Sequence, residues 1–326
     1  MSDVSERCAV CGAMLDEEDL FCANCGTEAP NRDVLPMTHA AETSTCSFRC
    51  SSCAASMSYD ASSRSLRCPF CGSEKLEELP DEKILTAKRI IPFVVTQQEV
   101  LEFMRKKLGS SFWMPGDLAA TATVTRMLPV YVPFWAFSAQ TLTYWTADTS
   151  RTPPGASADW FPLTGEHRSS WKGILVGASS ALTQRETIDL CPFDLSTGRP
   201  REEVDTNNWI VEQFRLQRKH ARPLARQGIE ELEKQECTRY VPGRCRNMKV
   251  NVRLHGLSSE PILVPVWIMA YRYRDRVFRF LVNGQTGRTT GQMPLSRLRI
   301  VGVIVAVLIA ILIIATGVGL LLSAGR

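Results

Sequence analysis

Four Cys-x2-Cys pairs near the N-terminus constrain this chain more than any other feature. The eight cysteines fall into two sets, which are Cys8, Cys11, Cys22 and Cys25, followed by Cys50, Cys53, Cys68 and Cys71. Each pair presents two sulfurs from one tight turn, and the hairpin between two pairs brings them face to face, so that four thiolates surround one Zn2+ ion tetrahedrally. The pattern predicts two small zinc ribbons, each with one structural Zn2+ ion. A closed all-cysteine site has no open coordination position, so neither ion is expected to be catalytic.

The residue after the second cysteine of each pair supports this interpretation. Glycine occupies that place in three pairs, at Gly12, Gly26 and Gly72, where a positive φ lets backbone N–H groups approach the sulfur. Ala54 departs from the pattern and predicts some strain in the third pair. Cys46 lies four residues before the third pair and is an alternative ligand for the second ion.

The sequence divides into five parts of an α+β protein. We predict a first zinc ribbon over residues 1–28, a polar linker over 29–45, a second ribbon over 46–82, a mixed and mainly antiparallel α+β domain over 83–299, and a C-terminal transmembrane helix over 300–322.

The transmembrane prediction rests on 23 consecutive uncharged residues at positions 300–322. At about 1.5 Å per residue such a helix crosses a hydrocarbon core of roughly 30 Å. Arg297 and Arg299 precede the run, and residues 1–8 do not resemble a signal peptide. The positive-inside bias then predicts a tail-anchored, single-pass protein of the inner membrane with residues 1–299 on the cytoplasmic side. Thiols stay reduced there, which favours metal binding over disulfides.

Residues 83–299 contain both helical and strand patterns. A helix is expected over TQQEVLEFMRKKL, with Thr96 as N-cap and Gly109 beyond its end. Residues 204–240 are charged and predict helix that Pro223 kinks or splits.

The strand patterns come from aromatic and β-branched residues. Residues 128–146 predict a hairpin, and two later strands are expected to turn at Arg274 and Asp275. A further turn at Asn283 and Gly284 is of the kind that needs positive φ.

A weak sequence repeat favours a duplicated subdomain, and chance similarity is the alternative explanation. Pro92-Phe93 precedes the string VPFW at 132–135, and Pro192-Phe193 precedes VPVW at 264–267.

Charge is distributed unevenly along the chain. Residues 1–82 hold 6 basic and 15 acidic residues, whereas residues 83–299 hold 31 basic and 19 acidic residues. Nucleic-acid binding depends on Lys and Arg that neutralise phosphates, so the acidic ribbons are expected to contact another protein or the basic domain of their own chain.

Motifs of catalysis are missing. The sequence contains no G-x4-G-K-[ST] loop, no H-E-x-x-H and no G-x-S-x-G. Isolated cysteines are usually small buried hydrophobes rather than nucleophiles, which is the expectation for Cys191, Cys237 and Cys245. We therefore predict that the protein is not an enzyme.

As a whole, the chain resembles a group of uncharacterised bacterial double zinc-ribbon proteins with a C-terminal membrane anchor. The resemblance is carried by the paired cysteines, the "VYVPFW" and "LVPVWIMAYRY" blocks and the terminal apolar run. Some members are labelled primosomal replication helicase-like. The missing phosphate-binding loop argues against helicase activity in this chain.

The prediction that follows is a membrane-tethered, zinc-binding, non-enzymatic interaction or scaffold protein. The alternative is a nucleic-acid-associated accessory protein, and its basic candidates are Arg215, Arg218, Lys219, Arg222 and Arg226. A second basic group could touch anionic lipid headgroups, although a solvated strand face is the favoured interpretation. The group comprises Arg272, Arg274, Arg276 and Arg279 around a strand turn and Arg297 and Arg299 before the apolar run.

Overall fold

The computed structural model describes residues 6–7, 10, 14–15, 45–60, 67–79, 85–155, 159–204 and 209–324. Its elements are, in chain order, β1 (Glu6–Arg7), β2 (Met14–Leu15), β3 (Thr45–Cys50), β4 (Ser56–Asp60), β5 (Leu76–Leu79), β6 (Arg89–Ile90), α1 (Gln97–Leu108), α2 (Leu118–Thr121), β7 (Thr123–Thr149), β8 (Phe161–Gly177), α3 (Gln184–Leu190), β9 (Arg199–Pro200), β10 (Ile210–Glu212), α4 (Arg218–Thr238), β11 (Cys245–Tyr273), β12 (Arg276–Asn283), β13 (Thr289–Gly291) and α5 (Arg297–Ala324).

Eleven of the described strands belong to one mixed sheet. The main path runs β13-β12-β11-β7-β10-β4-β3-β5, while β8 pairs with β7, β6 with β11, and β9 with β6. Most pairs are antiparallel, but β10 lies parallel to β7 and β6 lies parallel to β11. Strands β1 and β2 form a separate antiparallel pair.

Two βαββ units form the centre of this sheet. The first consists of β6, α1, β7 and β8, and the second of β10, α4, β11 and β12. The long strands β7 and β11 lie antiparallel, and Val132 is paired directly with Val264. Each unit adds its short first strand beside the long strand of the other, so the units interlock about a pseudo-twofold axis between these two valines.

Matching hydrogen bonds show how closely the units correspond. The indole N–H of Trp135 donates to the carbonyl of Leu216 at 2.8 Å, and that of Trp267 donates to the carbonyl of Val95 at 3.0 Å. Each acceptor is the second residue before a helix start, on the opposite unit. The tryptophans therefore fix the two chain entries into α1 and α4 in the same manner.

The same correspondence extends to the phenylalanines and the strand ends. Phe214 packs on Trp135 with ring centroids 5.5 Å apart, as Phe93 packs on Trp267 at 5.4 Å. Phe214, rather than Phe193, is thus the counterpart of Phe93, which corrects the sequence-based pairing. The "VPFW" and "VPVW" strings do occupy equivalent places. The duplication itself stays a prediction.

Of the predicted helices, one is confirmed and one is wrong in extent. Helix α1 begins after Thr96, which forms a capping box with Glu99, and it buries Val100 and Met104. Residues 204–217, expected to be helical, instead contain β10, and α4 begins only at Arg218 and continues through Pro223. Pro223 is the sixth residue of α4, beyond the first turn, so its missing N–H removes one helical hydrogen bond without ending the helix.

The strand predictions also have mixed outcomes. The expected hairpin over 128–146 is wrong, because these residues lie within the single strand β7, paired along its length with β11. The turn at Arg274 and Asp275 is confirmed, and Arg274 has φ +53°. At the next turn the positive φ is at Gly287, while the Asn283 side chain accepts two backbone N–H groups.

The predicted fold class is wrong, because the described strands of the second ribbon are part of the central sheet; most of the first ribbon lies outside the described residues. Strand β4 pairs antiparallel with β10, with Glu212 opposite Met57, so β3, β4 and β5 extend the central sheet. The molecule is mostly a large mixed sheet with few helices. The sequence could not show this junction because β10 is three residues long.

The predicted transmembrane helix over 300–322 is wrong as well. The segment lies in helix α5, but in the part of the chain that the structure describes no helix combines the length and the apolarity needed to cross a bilayer. The tail-anchored topology, the inner-membrane location and the cytoplasmic placement of residues 1–299 depended on that helix and are corrected with it.

Candidate metal centre

Strands β3, β4 and β5 position the second cysteine set. Strand β3 lies between β4 and β5 and pairs antiparallel with both. A tight knuckle over residues 50–55 connects β3 to β4, and a second knuckle over residues 68–73 precedes β5. The two knuckles therefore approach each other at one end of this three-stranded ribbon.

The four sulfurs of the knuckles converge on one point. Cys50 Sγ lies 3.5 Å from Cys71 Sγ, and Cys53 Sγ lies 3.5 Å from Cys68 Sγ. All four sulfurs are within 4.8 Å of one another. Thiolates bound tetrahedrally to zinc at 2.3 Å would be about 3.8 Å apart, whereas a disulfide needs about 2.05 Å. The four residues are free cysteines, and the cluster can hold one metal ion.

The two knuckles have the same backbone geometry. In the first, the Cys50 N–H donates to the Ala55 carbonyl and the Ala54 N–H donates to the Cys50 carbonyl, both at 2.8 Å; the second repeats both bonds over residues 68–73. Ala54 has φ +59° and Gly72 has φ +77°. Ala54 thus occupies a conformation that favours glycine, at a cost of about 1 kcal/mol.

Hydrogen bonds within the cluster shift the pKa values of Cys53 and Cys68 in opposite directions. The hydrogen bond between the Cys53 and Cys68 sulfurs lowers the pKa of Cys53 to about 5 and raises the pKa of Cys68. The backbone N–H of Ala55 also donates to Cys53 Sγ, and those of Phe70 and Cys71 donate to Cys68 Sγ. Such N–H donors stabilise thiolates, which are the metal-binding form of cysteine.

The cluster is built into the main core. Cys50 and Cys68 are fully buried in the hydrophobic cluster that also contains Val132 and Val264. Arg126 of β7 donates to the Cys68 carbonyl at 3.3 Å, and Ser180 donates to the carbonyl of Ala54 at 3.2 Å. No spacing in the sequence identifies these two contacts, because both partners are distant along the chain.

The other predicted ligands are placed as follows. The first set lies outside the described residues, and comprises Cys8, Cys11, Cys22 and Cys25. Strands β1 and β2, on either side of Cys8 and Cys11, pair as a hairpin, with Glu6 opposite Leu15. Cys46 lies in β3, and its side chain, predicted as an alternative ligand, lies outside the described part of the chain.

Three further cysteines lie away from this centre. Burial raises the pKa of Cys191 and of Cys237 to about 11, and Cys237 is fully buried beside Trp145 and Cys245. Because the thiolate is the nucleophile, a raised pKa leaves little reactive form at neutral pH.

The basic residues proposed for nucleic-acid binding do not form one free face. Arg215 precedes α4 and donates to the Ser56 hydroxyl, and Arg226 pairs with Glu230 at 3.0 Å. The inner face of α4 packs on the sheet through Ala221 and other buried residues. The nucleic-acid alternative stays a prediction.

Comparisons with known proteins give one similarity and no family. The chain is 22% identical to the uncharacterised protein YdjG of Bacillus subtilis (strain 168) over 311 residues, which cover 77% of this chain and 91% of that protein. No family model matches the sequence, and no solved structure matches it either. The cysteine cluster fits a zinc ribbon, while the family named from the sequence stays a prediction.

Proposed function

We propose that this protein is a zinc-binding, non-enzymatic interaction protein, in which one zinc ion fastens the β3–β5 ribbon to the central sheet. The observation that carries the proposal is the convergence of four cysteine sulfurs from two matched knuckles, all within 4.8 Å of one another.

The donor set supports zinc as the metal. Thiolates are soft ligands, and four of them in tetrahedral arrangement are typical of structural Zn2+. Cys50, Cys53, Cys68 and Cys71 would hold the ion. When bound, the ion would supply a tetrahedral crosslink between the two knuckles.

The burial of the cluster supports a structural role. The ribbon inserts Met57 and Phe70 into the core shared with β7 and β11, so a crosslink between its knuckles also stabilises the sheet. Four cysteine ligands leave no open coordination position for a substrate, which favours an interaction protein over a metalloenzyme.

The outer strand of the ribbon is a suitable contact surface. Strand β5 ends the sheet order, and in the described part of the chain nothing pairs with its outer edge. Glu77 and Glu78 are exposed along it. An unpaired edge can accept a strand from another protein, and the acidic side chains favour a basic one.

The metal assignment is tested by the zinc content of the full-length protein, measured by inductively coupled plasma mass spectrometry. The variant Cys71→Ser should contain one zinc ion fewer per chain than the wild type. The matched control Cys245→Ser, a half-buried free cysteine in β11, should match the wild type. An unchanged zinc content in Cys71→Ser would contradict the assignment.

The partner surface is tested by in-cell photo-crosslinking from position 77, with position 253 as the control. Arg253 is also exposed, on β11. We expect a product at position 77 that Cys71→Ser abolishes and that position 253 does not give. Equal products at both positions, or no product, would refute this surface.

A further inference from the structure

A cleft of about 950 Å3 lies on the sheet beside the second zinc knuckle. Its floor is formed where β7, β11 and β12 lie side by side, and the knuckle forms one wall. Four arginines line it, namely Arg67, Arg126, Arg272 and Arg279, and none of the lining residues is acidic. The volume is within the range of small-molecule sites, about 300–1,000 Å3.

Strand register explains why the cleft is open at its centre. Ala270 of β11 is paired with Arg126 of β7 on one side and with Arg279 of β12 on the other. Neighbouring strands are about 4.8 Å apart, so the two arginine Cα atoms are about 10 Å apart. The short alanine side chain between them leaves a gap flanked by two guanidinium groups, with the buried Ile268 two residues along the floor.

Arg126 and Arg279 are already held in place by the protein. Arg126 donates to the backbone carbonyls of Arg67 and Cys68, both at 3.3 Å, and has no carboxylate partner in the described part of the chain. Arg279 Nη2 donates to both carboxylate oxygens of Glu186, at 2.6 and 2.7 Å. The Nε of Arg279 is buried and has no acceptor among the described residues, although buried donors are normally paired.

Arg272 completes the basic lining. It is exposed on the strand that carries Ala270, two residues further along and on the same face. Among the described residues its guanidinium has no hydrogen-bond or ion-pair partner. The cleft therefore contains positive charge that the described residues leave uncompensated.

The pairing of β7 with β11 does not itself require Arg126. Across the pseudo-twofold axis, counted from the Val132 and Val264 pair, Arg126 corresponds to Ser258 and Ala270 to Ser138; these serines are again paired with each other. The equivalent pairing of β7 with β11 is thus formed in the other unit without a basic residue, although there the pairing of β7 with β8 shifts register at Ser138.

We propose that this cleft binds a small organic anion, with the phosphate or carboxylate at the arginines and an apolar part on the sheet floor. A guanidinium group can donate two parallel hydrogen bonds to two oxygens of a phosphate or a carboxylate. Ile268, on the same face as Ala270, and the exposed Val277, paired with Arg272, offer an apolar surface beside the charge. The proposal goes beyond the zinc-binding function and rests on it only in that the second knuckle, which includes Cys71, forms one wall of the cleft.

The test uses three probes that share one aromatic ring: phenyl phosphate, benzoate and the uncharged benzyl alcohol. Each is titrated by calorimetry into the full-length, zinc-loaded protein in buffer of physiological ionic strength. We expect phenyl phosphate or benzoate to bind and benzyl alcohol not to bind. Binding of phosphate alone or of carboxylate alone would identify the headgroup.

Two variants locate the site. Arg272→Gln should weaken anion binding about tenfold, the effect of one lost charge-assisted contact, and Ala270→Leu should block the centre of the cleft. Arg253→Gln changes another exposed arginine of the same strand and should bind as the wild type does. Zinc content and melting temperature should be unchanged in Arg272→Gln, so failure here is distinct from failure of the metal assignment.

Three results would overturn the proposal. These are no binding of either anion, equal affinity in Arg272→Gln and the wild type, or equal weakening by Arg253→Gln. Binding of a polyglutamate peptide through Arg272 when neither small anion binds would also overturn it, in favour of an acidic protein segment.

Discussion

Replacing Cys71 by serine should remove the metal ion and destabilise the whole β3–β5 ribbon, not only the knuckle that contains Cys71. Cys71 is exposed, whereas Cys50 and Cys68 are fully buried. The sulfur of Cys71 can therefore be removed without opening a cavity in the core, and any large loss of stability reports the metal.

The expected magnitude follows from what the ribbon buries. Met57 is fully buried and Phe70 is 4% exposed in the main core, and burial of each such side chain contributes about 1.5–3 kcal/mol. If the ribbon separates from the sheet without zinc, the free energy of unfolding falls by about 3–6 kcal/mol. For large domains 1 kcal/mol lowers Tm by about 2–4 °C, so we expect a drop of roughly 6–24 °C.

Calorimetric melting of the full-length protein measures this drop, and hydrogen exchange locates it. Amides of residues 45–60 and 67–79 should exchange faster in Cys71→Ser, while Cys245→Ser should resemble the wild type in both measurements. A Cys71→Ser protein that has lost its zinc but melts within about 2 °C of the wild type would refute the structural role.

Three other perturbations follow from the structure. Ala54→Gly should stabilise and Gly72→Ala should destabilise the protein, each by about 0.5–1 kcal/mol in urea unfolding, because both positions have positive φ. If both substitutions changed the free energy of unfolding in the same direction, the matched geometry of the two knuckles would be contradicted. Burial raises the pKa of Glu212 to about 7, so protonated Glu212 stabilises the folded state, and this contribution is lost as pH rises through 7. The free energy of unfolding of Glu212→Gln, relative to that of the wild type, should therefore rise by about 2 kcal/mol between pH 5.5 and pH 8. A difference that stays constant with pH would exclude this titration. Trp135→Phe and Trp267→Phe each remove one indole hydrogen bond, so each should lower the free energy of unfolding by about 1–2 kcal/mol. A loss of stability in only one of the two variants would argue against the equivalence of the two βαββ units.

Local patterns predicted local structure well. The Cys-x2-Cys spacing brought Cys50, Cys53, Cys68 and Cys71 together because each knuckle is closed by bonds within six residues. Helix α1 followed from Thr96 and an apolar face for the same reason.

Long-range pairing could not be predicted from the same patterns. Strand β10 has three residues and joins β7 to the ribbon strand β4, and no periodicity can be measured over so short a segment. The aromatic run at 128–146 was interpreted as a hairpin, although its partner in one continuous pairing is β11, more than a hundred residues later.

Arginines of the cleft show the same limit. Arg272 and Arg279 were noticed as a basic group near a strand turn, but Arg126 joins them only through the register of β7 against β11. The expected transmembrane helix at 300–322 was predicted from hydropathy alone and is the clearest correction.

Zinc K-edge X-ray absorption tests the central claim most directly. The sample is the full-length protein with Cys8 and Cys11 replaced by serine, so that only the β3–β5 ribbon retains a complete cysteine set. We predict one zinc ion per chain with four sulfur neighbours at about 2.3 Å. A protein without zinc, or a first shell with fewer than four sulfurs, would contradict the account.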